Sequence, residues 1–349
     1  MRSIDELLRE AKSVNASDIH ISEGRMPFFR VDGQLEPIGE TPISKEEAEG
    51  MMKAILSENK RLYEELEEKM QTDFSYSIDD GTRFRVNVFR HLGALSAALR
   101  LIPKDIRTIE QLHLPPQISQ FAELKQGFVL MVGPAGNGKS TAMAALVDYV
   151  NQRRREHIIT IEDPIEYQFT DNLSIIDQRE IGRDAPSFAE ALRSTLRQDP
   201  NIIMIGELRD LESMRTAITV AETGHLVLAT LHTNDAAQTV ERLIDSFPPA
   251  QQPQIRSQLS ATISGVVSMR LLPWNEGGRI PAIEIMTATS AIRNIIREGN
   301  IHQIQGTIQT SADVGMQTLD ASLQALVDAG AVNADVARPY FSATRTATR

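Results

Sequence analysis

Cysteine is absent from the 349 residues, which excludes disulfides and any metal site built on thiolates. Aromatic side chains are scarce, with one Trp, five Tyr and eleven Phe. None of them forms the stripe interleaved with Lys and Arg that single-stranded nucleic acids stack on. Positive charge is in deficit: 36 Lys and Arg against 47 Asp and Glu leave a net charge of −11, a poor match to a phosphate backbone. No apolar run approaches the ~20 residues of a membrane-spanning helix. The N-terminus, Met1-Arg2-Ser3-Ile4-Asp5-Glu6, mixes apolar and charged residues and lacks the apolar core of a secretion signal. These absences lead us to expect a cytoplasmic protein, with no direct membrane insertion and no nucleic-acid partner.

What is present is the balance of an ordinary globular chain, 41% hydrophobic and 24% charged, and a length that favours two domains. The stretch that organises the rest is Gly133-Pro134-Ala135-Gly136-Asn137-Gly138-Lys139-Ser140, followed by Thr141. It fits the G-x-x-x-x-G-K-[ST] spacing of a phosphate-binding loop. The apolar run Phe128–Val132 reads as a buried strand entering it. Behind it Met143, Leu146, Val147 and Val150 recur at helical spacing. Glycines let backbone N–H groups turn inward, and a helix N-terminus adds partial positive charge, so this context suits a nucleotide's phosphates. Lys139 is expected at the β/γ-phosphates of ATP, and the Ser140 hydroxyl on Mg²⁺.

Before that loop the chain reads as a short amphipathic helix over 3–14, a strand over 17–22 and a hairpin turning at Asp32-Gly33. A long helical stretch over 44–69 and strands over 74–78, 83–89 and 95–101 follow. This gives a first domain over 1–102, a linker over 103–116 bracketed by prolines, and a second domain over 117–349. After the loop, strands at 157–161, 173–177, 202–205 and 225–231 alternate with helices at about 187–198 and 211–223. That pattern predicts an α/β fold with a mainly parallel sheet covered on both faces. A hairpin over 269–285 and helices at 290–298, 318–329 and 333–340 complete it, and 342–349 reads as an unstructured tail.

Hydrolysis of a phosphate chain needs a metal, a carboxylate near the attacking water and cations on the transferring group. Open α/β sheets place such groups at the carboxyl ends of strands. Three strand ends carry them here: Glu162 to Glu166, Gly206-Glu207 and Leu231-His232. Glu207 directly follows a buried apolar strand and is the candidate for Mg²⁺ or its water, Gly206 standing where a first acid is usual. Glu166 is the candidate for polarising the water. His232 is the candidate γ-phosphate sensor, whereas His225, at the other end of the strand, reads as a structural hydrogen-bonding residue. With no third His or Cys beside them, the two are not expected to hold a metal. Arg193 and Arg197, four apart on a predicted helix, are candidates for contacting phosphate or a neighbouring subunit. Arg83, Arg85, Arg90 and Arg100 cluster on the first domain's strands and are candidates for an arginine supplied in trans.

Taken together, these segments resemble the secretion-ATPase superfamily of ring motors, specifically the retraction ATPases of type IV pili. The resemblance rests on the loop at 133–141, Thr160-Ile161-Glu162-Asp163-Pro164-Ile165-Glu166, Asp199 to Glu207 and Thr223 to His232. It rests above all on Ala291-Ile292-Arg293-Asn294-Ile295-Ile296-Arg297-Glu298-Gly299, which is similar to that group's AIRNLIREGK motif, and on Gly315 to Asp320. Ala135 and Asn137 depart from the Thr and Ser usual in the family's loop, and Asn300 from the motif's final Lys. The resemblance implies a PAS-like N-terminal domain, a RecA-like ATPase domain, ATP and Mg²⁺ as cofactors, and a homohexamer with ATP between one subunit's N-terminal domain and the next subunit's C-terminal domain. It also implies an inner-membrane pilus platform protein as partner, acted on from the cytoplasmic face.

Other readings stay open on residues alone. An accessory retraction ATPase is not separated by any residue. Assembly ATPases of pili or type II secretion typically carry a tetracysteine zinc motif and a further N-terminal domain, and this chain has no Cys. A nucleic-acid translocase runs against the acidic balance. A nucleotide-gated scaffold would bind ATP without turning it over.

Overall fold

A computed structural model describes residues 3–14, 16–31, 34–56, 59–103 and 105–342. They form two compact units, one of residues 1–105 with 164–168, the other of 106–163 with 169–349.

The first unit begins with α1 (Ile4–Ser13). The Ser3 hydroxyl accepts from the Glu6 N–H while the Glu6 carboxylate accepts from the Ser3 N–H, satisfying two donors at the helix start. Its buried residues, Ile4, Leu7, Leu8 and Ala11, are the predicted face. β1 (Asp18–Ser22), β2 (Phe28–Val31) and β3 (Gln34–Pro37) follow, with Val31 opposite Gln34; the expected turn residues Asp32 and Gly33 lie outside the described residues. The long helix expected over 44–69 is instead two helices, α2 (Lys45–Leu56) and α3 (Lys60–Lys69). Asn59 is extended, and its side chain accepts from the Arg61 N–H, so it starts a new helix. β4 (Gln71–Ser77), β5 (Arg83–His91) and β6 (Ala94–Leu101) complete an antiparallel sheet of order β3-β2-β1-β6-β5-β4. Alternate residues Phe84, Val86 and Val88 are buried with Ile19, Ile21 and Leu99 in a core shared with α1–α3. The opposite face carries the polar partners of that alternation.

In the second unit the expected linker is part of the core from residue 106 onward. Ile109 and Leu114 are buried against Val129, Met131 and Leu146, because these apolar side chains lie between the prolines. After α4 (Ser119–Ala122) come β7 (Gly127–Val132), α5 (Lys139–Arg153), β8 (His157–Glu162) and β9 (Ile175–Glu180). Then follow α6 (Phe188–Thr195), β10 (Ile202–Ile205), α7 (Leu211–Glu222), β11 (Leu226–Leu231), α8 (Ala236–Asp245) and α9 (Gln252–Thr262). β12 (Ile263–Pro273), β13 (Arg279–Thr287), α10 (Ser290–Glu298), α11 (Ile304–Thr310), α12 (Leu319–Asp328) and α13 (Ala334–Ala337) end the order.

The sheet runs β13-β12-β7-β11-β10-β8-β9, parallel throughout except for the antiparallel β12–β13 hairpin. Coverage of both faces is visible in β7 itself. Phe128, Leu130 and Val132 belong to one hydrophobic cluster, and Val129 and Met131 to the other. Strand β9 starts two residues later than predicted and runs to Glu180. The polar tail was expected from Ser342, yet that residue is anchored. Its N–H and hydroxyl bond the Asp320 carboxylate at 2.9 and 2.6 Å; residues 343–349 lie outside the described residues.

Candidate functional site

Because β7, β11, β10 and β8 are parallel and in register, their carboxyl ends open onto one edge of the sheet. The first end is the glycine-rich loop. Gly133 has φ of 144°, and a Cβ there would stand 2.5 Å from the Met269 carbonyl oxygen, so only glycine fits between the loop and β12. Gly138, at φ 82°, precedes α5 and offers no side-chain cap, leaving first-turn N–H groups to face whatever the loop holds. Lys139 is buried, and its ammonium donates to the carbonyl oxygens of Gly133 at 2.8 Å and Pro134 at 3.0 Å. Ser140 is the second residue of α5.

The second end is His232, directly after β11. Its Nδ1 lies 3.2 Å from Lys139 Nζ and its Nε2 3.2 Å from Glu207 Oε1. An ammonium only donates, so Nδ1 is the acceptor. Nε2 is then the ring nitrogen that faces the carboxylate. The third end is Glu207, whose other oxygen accepts from Arg209 Nε at 2.9 Å. Arg209 also reaches Asp163 with Nη1 at 3.6 Å. Lys139, His232, Glu207, Arg209 and Asp163 thus follow one another in a chain along the sheet edge, each polar group 2.9 to 3.6 Å from the next. Thr230, the penultimate residue of β11, steadies this chain: its hydroxyl donates to the Gly206 carbonyl and its own carbonyl accepts from the Leu208 N–H.

The fourth end is Glu162, beside Gly206. A Cβ at 206 would stand 3.4 Å from the Glu162 Cα and 3.6 Å from its Cγ, ordinary van der Waals contact. Glu162, at the end of β8 and buried, fills the space beside the strand exit, and its Oε1 accepts from the Thr160 hydroxyl at 2.7 Å. The neighbouring strand thus brings a second carboxylate to the exit of β10.

The structure brings Lys139, Glu207 and His232 together and distributes the other predicted residues elsewhere. His225 lies just before β11, with Nδ1 3.1 Å from the Val220 carbonyl oxygen near the end of α7. Arg193 pairs with Glu212 of α7. The helix expected to reach about 198 stops at Thr195, so Arg197 lies in the following turn and not four residues along a continuous helix. Glu166 is exposed and lies in the segment 164–168 that groups with the first unit. In that unit Arg83, Arg85 and Arg100 share the open face of the sheet, Arg85 opposite Arg100. Arg90 lies on the other face and pairs with Glu67. Arg100 is bound to Asp18 at 2.7 Å. Burial pushes the Asp18 carboxyl up, but the bonds from Arg100 and Ser17 outweigh it and hold the group below its ordinary value.

Two participants carried no assigned role in the sequence reading. Arg209 stands two residues after Glu207, and that short spacing past a buried strand was the available signal. Arg279 donates to the Gly136 carbonyl at 3.3 Å from a position 143 residues away, and no local pattern announces it.

The loop geometry is that of a phosphate cradle, with glycine where a Cβ would collide, a buried cation and a helix N-terminus. Ser140 and Glu207 provide the hard oxygen donors that Mg²⁺ prefers. A family model described as "Type II/IV secretion system protein" matches residues 1–334. The chain belongs to this family. It is 43% identical to the type IV pilus retraction ATPase PilT of Pseudomonas aeruginosa, over 96% of this chain and 97% of that protein. It is 42% identical to a twitching motility protein of Neisseria gonorrhoeae, over 89% and 83% of the two chains. Among solved structures, the pilus retraction motor PilT with bound ADP superposes with a TM-score of 0.91 at 40% identity, covering 99% of both chains. Both sheets therefore have a counterpart in a nucleotide-bound motor.

The helix bearing the C-terminal motif is α10. Arg293 donates to the carbonyl oxygens of Ser260 and Ala261 at the end of α9 and of Ala288, closing one helix end with another helix's side chain. Gly299 takes φ of 80° at the helix end, and the Asn300 side chain bonds Glu298 at 3.3 Å.

Proposed function

We propose that this chain is a ring-forming ATPase whose hydrolysis of ATP powers retraction of type IV pili. The observation that carries the reading is the contact chain Lys139–His232–Glu207 at the mouth of a phosphate loop, in a chain matched end to end by retraction ATPases. The N–H groups of 136–141 and Lys139 hold the β- and γ-phosphates. Ser140 and Glu207 hold Mg²⁺, which when bound neutralises charge on the phosphate oxygens. Water attacks the γ-phosphorus, the bond to the β–γ bridging oxygen breaks, and ADP leaves with that oxygen. Glu207 orients the water and takes up its proton. His232 lies within 3.2 Å of both the phosphate-binding cation and the strand-exit carboxylate, so loss of the γ-phosphate, which frees Lys139, alters the surroundings of Glu207. Arg193, Arg197 or an arginine among Arg83, Arg85, Arg90 and Arg100 serves the phosphate of a neighbouring subunit. Work is delivered from the cytoplasmic face to a platform protein of the pilus base.

Deleting the gene tests the reading. Cells should keep their pili but lose retraction, and a copy carrying Lys139→Ala should fail to restore it. Cells without pili would show that the motor extends fibres instead.

A further inference from the structure

The carbonyl oxygens of Gly133, Pro134, Ala135 and Gly136 each receive a side-chain donor. Lys139 takes those of Gly133 and Pro134. The Asn137 amide nitrogen lies 3.4 Å from the Pro134 oxygen and 3.2 Å from the Ala135 oxygen. Arg279, at the start of β13, takes that of Gly136. The remaining side of the Asn137 amide faces β12, where its Oδ1 accepts from the Leu271 N–H at 2.8 Å. The partner strand explains why that donor is available. Strand β7 pairs with β12 only as far as Val132 opposite Ser268 and then becomes the loop, so Leu271, three residues on, has no strand neighbour on that side. Asn137 supplies the acceptor that β7 no longer offers. Gly138 beneath the Leu271 side chain, where a Cβ would stand 3.3 Å from a methyl, and Gly133 beneath Met269 complete the seat.

We infer that Asn137 is a positioning residue that locks the phosphate loop onto β12 and thereby lengthens the lifetime of bound ADP. Across a trans peptide, the carbonyl of one residue and the N–H of the next point in opposite directions. Holding the Ala135 and Gly136 oxygens on one side holds the Gly136 and Asn137 N–H groups on the other. A glycine-rich loop left to itself samples many backbone states and loses that freedom when phosphate binds. The Asn137 amide spends one acceptor and its donors on keeping the loop in one of them. Alanine can make none of these bonds, and a serine hydroxyl reaches only one partner. The inference rests on nucleotide binding at this loop, not on what the motor moves.

Displacement of a fluorescent ADP analogue by excess ADP, followed by stopped flow on the full chain, is the test. Asn137→Ala should speed ADP dissociation about fivefold to tenfold, as expected for losing one to two hydrogen bonds. Asn137→Ser should move the same way by less and serves if the alanine variant folds poorly. Arg279→Ala, removing a longer and exposed contact, should change it by less than about threefold. Hydrogen exchange at the Leu271 amide should quicken in both Asn137 variants, a readout that general weakening elsewhere in the domain would leave alone. ADP dissociation within twofold of wild type in both Asn137 variants, or a Leu271 amide that exchanges as before, would overturn the inference. A wild-type chain that does not bind the analogue would overturn the nucleotide reading itself, and this inference with it.

Discussion

Lys139, His232 and Glu207 come from three strand ends, yet each has a partner among the other two. The imidazole presents one ring nitrogen to each partner, which an apolar ring of similar size cannot do. Replacing His232 by Phe should therefore lower kcat by about 10- to 100-fold while ADP affinity changes by less than about threefold, the mark of a group used after binding. Steady-state phosphate release and equilibrium ADP binding measure the two quantities. If both fall together, His232 serves the loop's structure and not the chemistry. At this scale the sequence was legible where the backbone demands one residue type at one spacing, as for Gly133. Contacts that cross the fold were not. Asn137 drew notice only as a departure, and its partner Leu271 lies 134 residues away.

Elements were legible where periodicity or a cap signalled them. α1, β7, β10 and β11 declare themselves through apolar spacing, and Gly277-Gly278, both at positive φ, closes the β12–β13 hairpin as expected. Four helices were missed, the four-residue α4 among them. α8 has its signal in Asp235-x-x-Gln238, since the Asp235 carboxylate accepts from the Gln238 N–H at 2.7 Å. α9 opens on Gln252-Pro253 after two further prolines, so the prolines, which suit a helix's first turn, mask the helix that follows. α11 is seven residues long and buries only Ile304 and Ile308.

Two of these helices, α8 and α11, meet α12 at a buried carboxylate on β13. Glu284 accepts from the Ala236 N–H at the start of α8 at 2.8 Å and from the Gln305 amide of α11 at 2.9 Å. The Leu319 N–H at the start of α12 adds to them. Burial pushes its carboxyl above the ordinary value, outweighing these donors, and nearby Asp235 pushes it further. The folded chain thus binds this proton more tightly than the unfolded one. Its effect on stability is absent below the unfolded value near about 4.3, grows as an increasing loss as pH rises through the raised folded value, and levels off above it. Glu284→Gln keeps an acceptor for Ala236, and a rotated Gln305 amide can present its oxygen to the new amide. The variant should unfold a few degrees higher than wild type at pH 8, with the two midpoints converging toward pH 4. Thermal unfolding across that range checks it, and a pH-independent difference would show that packing, not charge, sets the gap.

On the scale of the whole molecule, the chain divides into two units with separate cores, one on an antiparallel sheet and one on a mainly parallel sheet. The place of 164–168 was not legible in the sequence, because a short segment's assignment to one core or the other depends on tertiary contacts. Among the described residues no helix is long and apolar enough to cross a membrane. Light scattering in the presence of nucleotide should give a mass near six times the 38.7 kDa protomer. A persistent monomer would remove the arginines supplied in trans from the account.

The central claim is that the loop at 133–140 and the carboxylate at 207 form one hydrolytic site. Phosphate release from the purified chain with ATP and Mg²⁺ tests it most directly. The account predicts steady turnover in wild type and at least a ~100-fold loss in both Lys139→Ala and Glu207→Ala, with Glu207→Ala still binding nucleotide. Wild-type release no faster than that of the two variants would contradict it.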